Sequence, residues 1–528
     1  MRACVLVEGG PCPPCEERAA IRHQIKQLEE EITKLKAKDD TLRTTINAFH
    51  DPFTHKFPPE IASHILQLSL PILNDGEHER EAVNERWSAE WATPLTLGSV
   101  CRQWRQLAWA TPDLWTTLYL KIHPSMMSST AESLPGLLHE WLGRSGVLPL
   151  TIHFFHGYGD QDVYTSSLEG GPTIKDTRMD ETLEVATCLV IDILNLHSGQ
   201  WRNLNLTARA DIFERFSSSG KPKQLVTLDL TSTPVGESPV TVPKFLMDSV
   251  LNPIRLKLTE FPLTSINIFW ANITHATFSS IAAEEGLDFL RRASSLEFYR
   301  VSMYDSDDIG FINPILHPRL RSLDLSGGRL ENVLEAINLP SLETWSMDMN
   351  FRNTVMTMLS LLVRSGCRLK VLNLNELRLT SEDDEDFDTL LESIPSLERI
   401  GLSSVFGESS DLVFAILTRI FCSAPGSSDI SGETPTSESF LPYLQVIECT
   451  PDGHATLFSW DSILELYRRD HQRSLTLKVF VTDIDIPDET ALQLLQITEE
   501  GADLQIFNLT EGGDFLQKFR KRRCTQDV

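Results

Sequence analysis

Leu320-Arg-Ser-Leu323-Asp-Leu325 and Leu342-Glu-Thr-Trp345-Ser-Met347 share one frame: an apolar residue, any two, an apolar residue, any one, then a third apolar residue. The frame recurs at Leu225-Val-Thr-Leu228-Asp-Leu230, Leu369-Lys-Val-Leu372-Asn-Leu374, Leu397-Glu-Arg-Ile400-Gly-Leu402 and Leu444-Gln-Val-Ile447-Glu-Cys449. Weaker copies begin at Trp201, Leu251, Ile273 and Leu296. First positions fall at 201, 225, 251, 273, 296, 320, 342, 369, 397 and 444, so the step is 22 to 28 residues until a last step of 47. The second and third apolar residues lie two apart, the period of a strand with one buried face. Stretches between frames, such as Thr354–Val363 and Phe387–Ile394, read as helices. A repeat of this length marks a stacked array, in which no unit can bury its apolar face without the next.

Pro318, Pro340, Pro395 and Pro442 each precede a frame by two residues. Proline ends a helix and delivers extended chain into a strand. The long last step contains the polar tract Ser423–Ser439, read with residues 157–180 as loop insertions. In frame, period and punctuation, the region resembles leucine-rich-repeat proteins. That resemblance implies an irregular α/β solenoid over residues 145–510, strands inside and helices outside. The family's polar ladder position, usually Asn, is Asn350 in one copy but Thr233, Gly328, Leu377 and Val405 in others. Another α/β fold with coincident frames is the alternative. Alternate strand residues would face the concave side: Asn203, Asn205 and Thr207; Thr227, Asp229 and Thr231; Ser322, Asp324 and Ser326; Thr344, Ser346 and Asp348; Val371, Asn373 and Asn375. These hold three aspartates and no lysine or arginine, which suits a basic or polar target segment across Asp229, Asp324 and Asp348, beside Asn373. The plainer reading is a face that polar residues merely keep soluble.

Upstream, Phe57-Pro58-Pro59-Glu60-Ile61 reads as a helix start, with proline tolerated at the first helical position. Ile61, Ile65 and Leu68 then share a face. After a charged insert, Asn74–Trp91, comes Leu97-Gly-Ser-Val100-Cys101-Arg-Gln-Trp104-Arg-Gln-Leu107-Ala108. Val100, Trp104, Leu107 and Ala108 read as one apolar stripe, and Thr111-Pro112-Asp113-Leu114-Trp115 closes the unit. Five of the ten tryptophans lie between Trp87 and Trp115, which implies a small helical core, a docking face, or both. Pro58-Pro59-Glu60-Ile61, Ile65, Val100-Cys101-Arg102, Trp104, Leu107-Ala108 and Leu114-Trp115 together resemble an F-box, in particular that of fungal F-box-like proteins with a heptad helix before the motif. The resemblance implies a three-helix module over residues 54–118 that docks on the small Skp-family adaptor of a cullin ubiquitin ligase. Pro58, Pro59, Glu60, Ile61, Ile65, Val100, Cys101, Trp104, Leu107 and Trp115 would make that contact. Phe57 stands where the family usually has Leu, and the insert lengthens the first connection. An ordinary helical hairpin with a tryptophan core is the alternative.

Glu16 to Phe49 contains neither Gly nor Pro. Ile21, Ile25, Leu28, Ile32, Leu35, Asp39, Leu42, Ile46 and Phe49 follow in steps of four and three, the seam of a coiled coil. Ile at a positions with Leu at d positions favours two parallel strands, and Asp39 interrupts the seam at an a position. A helix over residues 16–50 is expected, either weakly self-associating or folded back on its own chain.

The 528 residues carry 47 basic and 74 acidic side chains, a net charge of −27. That balance argues against nucleic acid and against an anionic membrane surface as partners. No apolar run reaches the ~18 residues that span a bilayer; Leu412–Phe421 contains Arg419. The apolar stretch within MRACVLVEGG is too short for a signal peptide, and nine scattered cysteines suit a reducing compartment, the cytoplasm or nucleus. Cys12-Pro-Pro-Cys15 has the spacing of half a zinc knuckle without a second pair, so residues 1–15 read as a disordered head, with no metal or cofactor. His153 and His156 read as a loop pair after a strand over 148–155, Ser381-Glu-Asp-Asp-Glu-Asp386 as an acidic loop, and residues 511–528 as a basic tail that is either a nuclear import signal or a frayed end. No phosphate-binding loop, G-x-S-x-G elbow or H-E-x-x-H occurs, so no catalytic residue is assigned. The combined expectation is a non-enzymatic substrate-recognition subunit of a Skp–cullin–F-box ubiquitin ligase. A repeat scaffold without ligase assembly and an enzyme with an unrecognised site are the rivals.

Overall fold

A computed structural model describes residues 12–49, 51–70, 93–157, 181–217, 225–233, 242–304, 314–328, 330–349, 354–376, 384–405, 409–422, 440–451, 460–468, 475–481, 486–509 and 512–526. The chain is mixed α/β, with a long first helix and one large parallel sheet. The inserts expected at 74–91 and 423–439, most of the one at 157–180, and residues 1–11 of the head lie outside the described residues. So do Asn350 and Leu377.

Pro13–Phe49 is a single helix of 37 residues, so Pro13 to Cys15, expected in the head, are already helical. Thr33, Thr41, Thr44 and Thr45 donate their hydroxyls to the carbonyl four residues back, which seats them inside the helix. Asp51 caps the next short helix, Pro52–Lys56, accepting from the Phe53 and Thr54 amides at 3.0 and 3.1 Å. Pro59–Leu68 follows, with Pro59 in its first turn as expected and Ala62 and Leu66 on its buried side.

The strands are β1 (Thr117–Ile122), β2 (Leu150–His156), β3 (Trp201–Arg209), β4 (Thr227–Thr233), β5 (Arg255–Thr259), β6 (His275–Ala282), β7 (Phe298–Tyr304), β8 (Ile315–Leu316) and β9 (Ser322–Gly327). They continue with β10 (Ile337–Asn338), β11 (Thr344–Asp348), β12 (Val371–Asn375), β13 (Arg399–Val405), β14 (Val446–Pro451), β15 (Thr476–Val481) and β16 (Leu504–Asn508). Apart from β8 and β10, which pair with each other, all form one sheet whose spatial order is the chain order and whose neighbours are all parallel. The register lines up the frames: Leu228 faces Leu256, then Ala276, Tyr299, Leu323, Trp345, Leu372, Ile400 and Ile447. All of these are buried under the helices, so one sheet face is the core and the other is mostly polar and half exposed.

The frame expected at Leu251 is displaced. Leu256 pairs with Leu228 and Leu258 with Leu230, so the copy begins at Pro253. Leu251 misleads because it is buried for another reason: it bridges to Ile268, its amide donating to Asn267 and its carbonyl accepting from Phe269. The parallel sheet begins before residue 145. Trp115-Thr-Thr-Leu118-Tyr-Leu120 is a frame whose strand, β1, pairs with β2. At the far end β15 and β16 extend the sheet, with Leu477 and Val479 facing Leu504 and Ile506.

The helices between strands pack in a second layer. Thr354–Ser365 buries Val355, Met358, Leu361 and Leu362, and its Arg364 guanidinium reaches back to the Leu334 and Ile337 carbonyls at 2.7 and 2.9 Å. Arg419, inside the apolar Ser409–Cys422 helix, lies between Asp388 and Glu392 with the Phe440 ring 4.2 Å away. The expected basic tail is largely a helix, Phe515–Gln526, docked through buried Leu516 and the half-buried Phe515 and Phe519, with Arg520 3.3 Å from Glu499. Among the described residues no helix is long and apolar enough to cross a membrane.

Candidate functional site

Two surfaces concentrate the residues that sequence singles out. The first is the helical unit before the sheet. Ile61, Ile65 and Leu68 are exposed along one side of Pro59–Leu68, and Phe57 is exposed just before it, while Pro58, Pro59 and Glu60 stand in water. The expected stripe from Val100 to Ala108 is broken. The helix Thr93–Val100 ends, Cys101 is extended, and a new helix runs Arg102–Trp109. Cys101 is buried, and its sulfur caps the second helix by accepting from the Trp104 amide at 3.4 Å. Val100, left at the helix end, is 57% exposed, whereas Trp104 and Leu107 are half-buried and Ala108 is buried. Trp104 packs its ring 4.9 Å from Phe53, and Arg105 ties the two helices by donating to the Gly98 carbonyl at 2.8 Å.

Trp115 is a core residue with no surface at all. Its indole N–H donates to the Ala108 carbonyl at 2.8 Å, and its own carbonyl accepts from the Trp141 indole at 3.1 Å. Trp141 meets its ring edge to face at 4.9 Å, and the Arg144 guanidinium lies 4.6 Å from both the Trp109 and Trp115 rings. Of the ten residues expected to meet an adaptor, Pro58, Pro59, Glu60, Ile61, Ile65 and Val100 are therefore at the surface, Trp104 and Leu107 partly so. Cys101 and Trp115 build the module and its joint with the sheet instead.

The second surface is the polar sheet face. Its middle row runs Tyr119, His153, Asn205, Asp229, Lys257, Thr277, Arg300, Asp324, Ser346, Asn373, Gly401, Glu448, Lys478 and Gln505, one residue per strand. Neighbours in this row bond to each other. Tyr119 and His153 stack at 4.3 Å, and Asn205 Nδ2 lies 2.9 Å from His153 Nδ1. Lys257 Nζ meets Asp229 at 3.0 Å, Arg300 Nε meets Asp324 at 2.6 Å, Asn373 Nδ2 donates to Ser346 at 3.0 Å, and Lys478 meets Glu448 at 3.0 Å. Gly401 gives room here, since a β-carbon would stand 2.6 Å from Asn373 Oδ1.

The expectation of an acidic face without cations is corrected by these pairs. Asp229 and Asp324 are neutralised by the adjacent strands. Lys257 and Arg300 both lie in weak copies, those beginning at Leu251 and Leu296, outside the fifteen positions on which that expectation rests; the alternation Leu256-Lys-Leu258 is the signal that locates the first. Asp348 differs. It accepts from the Gly327 amide at 3.3 Å and is half-buried, and burial raises its pKa above the ordinary carboxylate value despite hydrogen bonds from Asn375 and Gly327. What this face offers a partner is hydrogen bonds and paired charge.

His153 and His156 are not a loop pair but lie within β2. Alternation sends His153 to the polar face and His156 into the core, where it is fully buried beside Phe154. Burial pulls both imidazoles down to about 4, with Arg209 adding repulsion at His156. Among the described residues no group of three or more His, Cys, Asp or Glu could hold a metal ion. No family model matches the chain, and no curated protein matches it either.

Proposed function

We propose that the chain is the substrate-recognition subunit of a Skp–cullin–F-box type ubiquitin ligase, working in the cytoplasm or nucleus. The helical unit would bind the Skp-family adaptor, and the sheet, read as an irregular leucine-rich-repeat solenoid, would hold a target protein. The observation that carries this reading is the exposed apolar side of Pro59–Leu68. Ile61, Ile65 and Leu68 are open to solvent although the same helix buries Ala62 and Leu66 against its own module. An exposed apolar stripe on a folded unit is what a docking partner covers. The Trp115, Trp141 and Arg144 joint supports the same reading, because it fixes that stripe relative to the sheet. The chain would then act by holding a target near a ubiquitin-loaded enzyme, with proximity supplying the rate.

For the target, the pairing of Asp229 with Lys257 and of Asp324 with Arg300 favours a segment that brings both signs of charge and neutral polar groups over a purely basic one. Asn373, which donates to Ser346, and Asp348, which accepts from the Gly327 amide, would add polar contacts to such a segment.

The test is co-purification with a Skp-family adaptor. Ile61→Asp with Ile65→Asp should weaken binding by about thirtyfold or more, as expected for two anchors at an interface centre. Both side chains are exposed, so the thermal midpoint should not move. Undiminished binding by that folded variant overturns the assignment. A wild-type chain that folds but retains no adaptor points to the scaffold reading, which the burial of Cys101 favours.

A further inference from the structure

Among the described residues, the apolar stripe of the N-terminal helix has no cover. Ile21, Ile25, Leu28, Ile32, Leu35, Leu42 and Ile46 lie along one side of Pro13–Phe49, each between 48 and 61% exposed. The fold-back alternative requires a second helix along this seam, and these exposures rule that out for the described residues. We infer that the seam is covered by a second copy of the same chain, in a parallel, in-register, two-stranded coiled coil.

Three features select this occupant. The side-chain period is 3.5 residues, which keeps a seam facing a supercoiled partner, whereas a helix lying on a globular core follows 3.6. Ile25, Ile32 and Ile46 at a positions with Leu28, Leu35 and Leu42 at d positions is the assignment that favours two parallel strands. The flanking charges also fit a parallel copy. In that arrangement each g residue meets the e residue five positions later on the partner, so Glu17 meets the partner's Arg22 and Glu31 meets the partner's Lys36. Gln24 meets the partner's Glu29 neutrally, and only Lys38 against the partner's Arg43 is unfavourable.

Asp39, the flaw in the seam, has a defined place in this dimer. In the single chain it pairs with Arg43 at 3.2 Å, with both side chains exposed. In the dimer, an a residue packs into a hole made by four partner residues, here the partner's Leu35, Lys38, Asp39 and Leu42. The partner's Lys38 thus stands beside each Asp39 carboxylate. A charged layer of this kind fixes the register at a cost in stability, so association is specific and modest.

Sedimentation equilibrium on the full chain over about 1–100 µM reads the outcome directly. The chain should dimerise, and Ile25→Asp with Ile32→Asp should weaken dimerisation by at least about a hundredfold, since four carboxylates would enter a dry seam. These positions are exposed in the single chain, so its unfolding midpoint should hold. Asp39→Ile should tighten the dimer. Orientation is read by charge reversal: Glu31→Lys and Lys36→Glu should each weaken dimerisation, and the two together should restore it. A wild-type chain that stays monomeric at the highest concentration overturns the inference. Dimerisation that survives both aspartates overturns the seam, and failure of the double reversal to restore overturns the parallel arrangement.

Discussion

The N-terminal helix and the helix Thr354–Ser365 carry the same kind of apolar stripe, Ile and Leu in one, Val, Met and Leu in the other. In Thr354–Ser365 the stripe is buried, and in Pro13–Phe49 it lies open. The difference is connectivity. Thr354–Ser365 is followed by β12, which pairs beside β11, so the next helix, Asp384–Glu392, is delivered alongside. Pro13–Phe49 is followed by the five-residue helix Pro52–Lys56, and among the described residues nothing covers its seam from Ile21 to Ile46. Periodicity in a sequence tells which face is apolar; what covers that face depends on where the chain goes next.

The largest effect should come from breaking the covered side of this contrast. Trp345 is fully buried, and Trp345→Ala should cost about 3–5 kcal/mol through lost transfer energy and the cavity left behind. Leu28→Ala, in a sample dilute enough to be monomeric, should stay within about 0.5 kcal/mol. Urea midpoints for the two variants compare them directly, and equal losses would erase the distinction.

Acid should separate the regions next. The folded chain holds His153 and His156 neutral down to about pH 4, whereas the unfolded chain protonates them near the ordinary value of 6.5. Unfolding therefore takes up protons between those limits. The stabilisation is complete above about pH 6.5 and is lost as the pH falls toward 4, by up to roughly 3 kcal/mol for each histidine. His156→Phe should remove about half of that slope, read from urea midpoints at pH 7 and pH 5.

How much of this was legible in the sequence follows from which groups carry the signal. Strands with three apolar frame residues, such as β9, β11 and β12, were visible because all three residues are buried. β16 was not, since Gly501 stands where the frame has its first apolar residue. β1 was hidden differently: Trp115 serves both the helical unit and the frame of β1. The stripe through Val100 failed because Cys101, a small residue of weak preference, leaves the helix to cap the next one. On the polar face, chemistry depends on neighbours one strand away, and the cations beside Asp229 and Asp324 stand in β5 and β7, the strands of two weak copies. Single residues were readable there, but pairs required the register.

Smaller perturbations sharpen the register itself. Gly327 has φ +72°, and a β-carbon would collide with the Met303 carbonyl oxygen, so Gly327→Ala should cost about 1–3 kcal/mol in denaturant unfolding. Gly401→Ala meets the end of the Asn373 side chain, which can turn away, and should cost less. The least effect belongs to Lys257→Met. The pair with Asp229 is partly exposed and should be worth about 0–1 kcal/mol, so that variant alters the charge of the polar face with the fold intact.

The in-register rows of that face also constrain what can be read along them. Side chains repeat with the strand spacing of about 4.8 Å, while a helical ligand repeats every 5.4 Å or so and an extended one offers same-side residues every ~6.8 Å. The two scales form a vernier. A helix laid along a row slips by about 0.6 Å per strand, is half a spacing out of step after about four strands, and returns to coincidence only after about nine. The fourteen strands therefore divide into separate words of three or four letters, and a long regular partner has to bend, break or skip to be read from end to end.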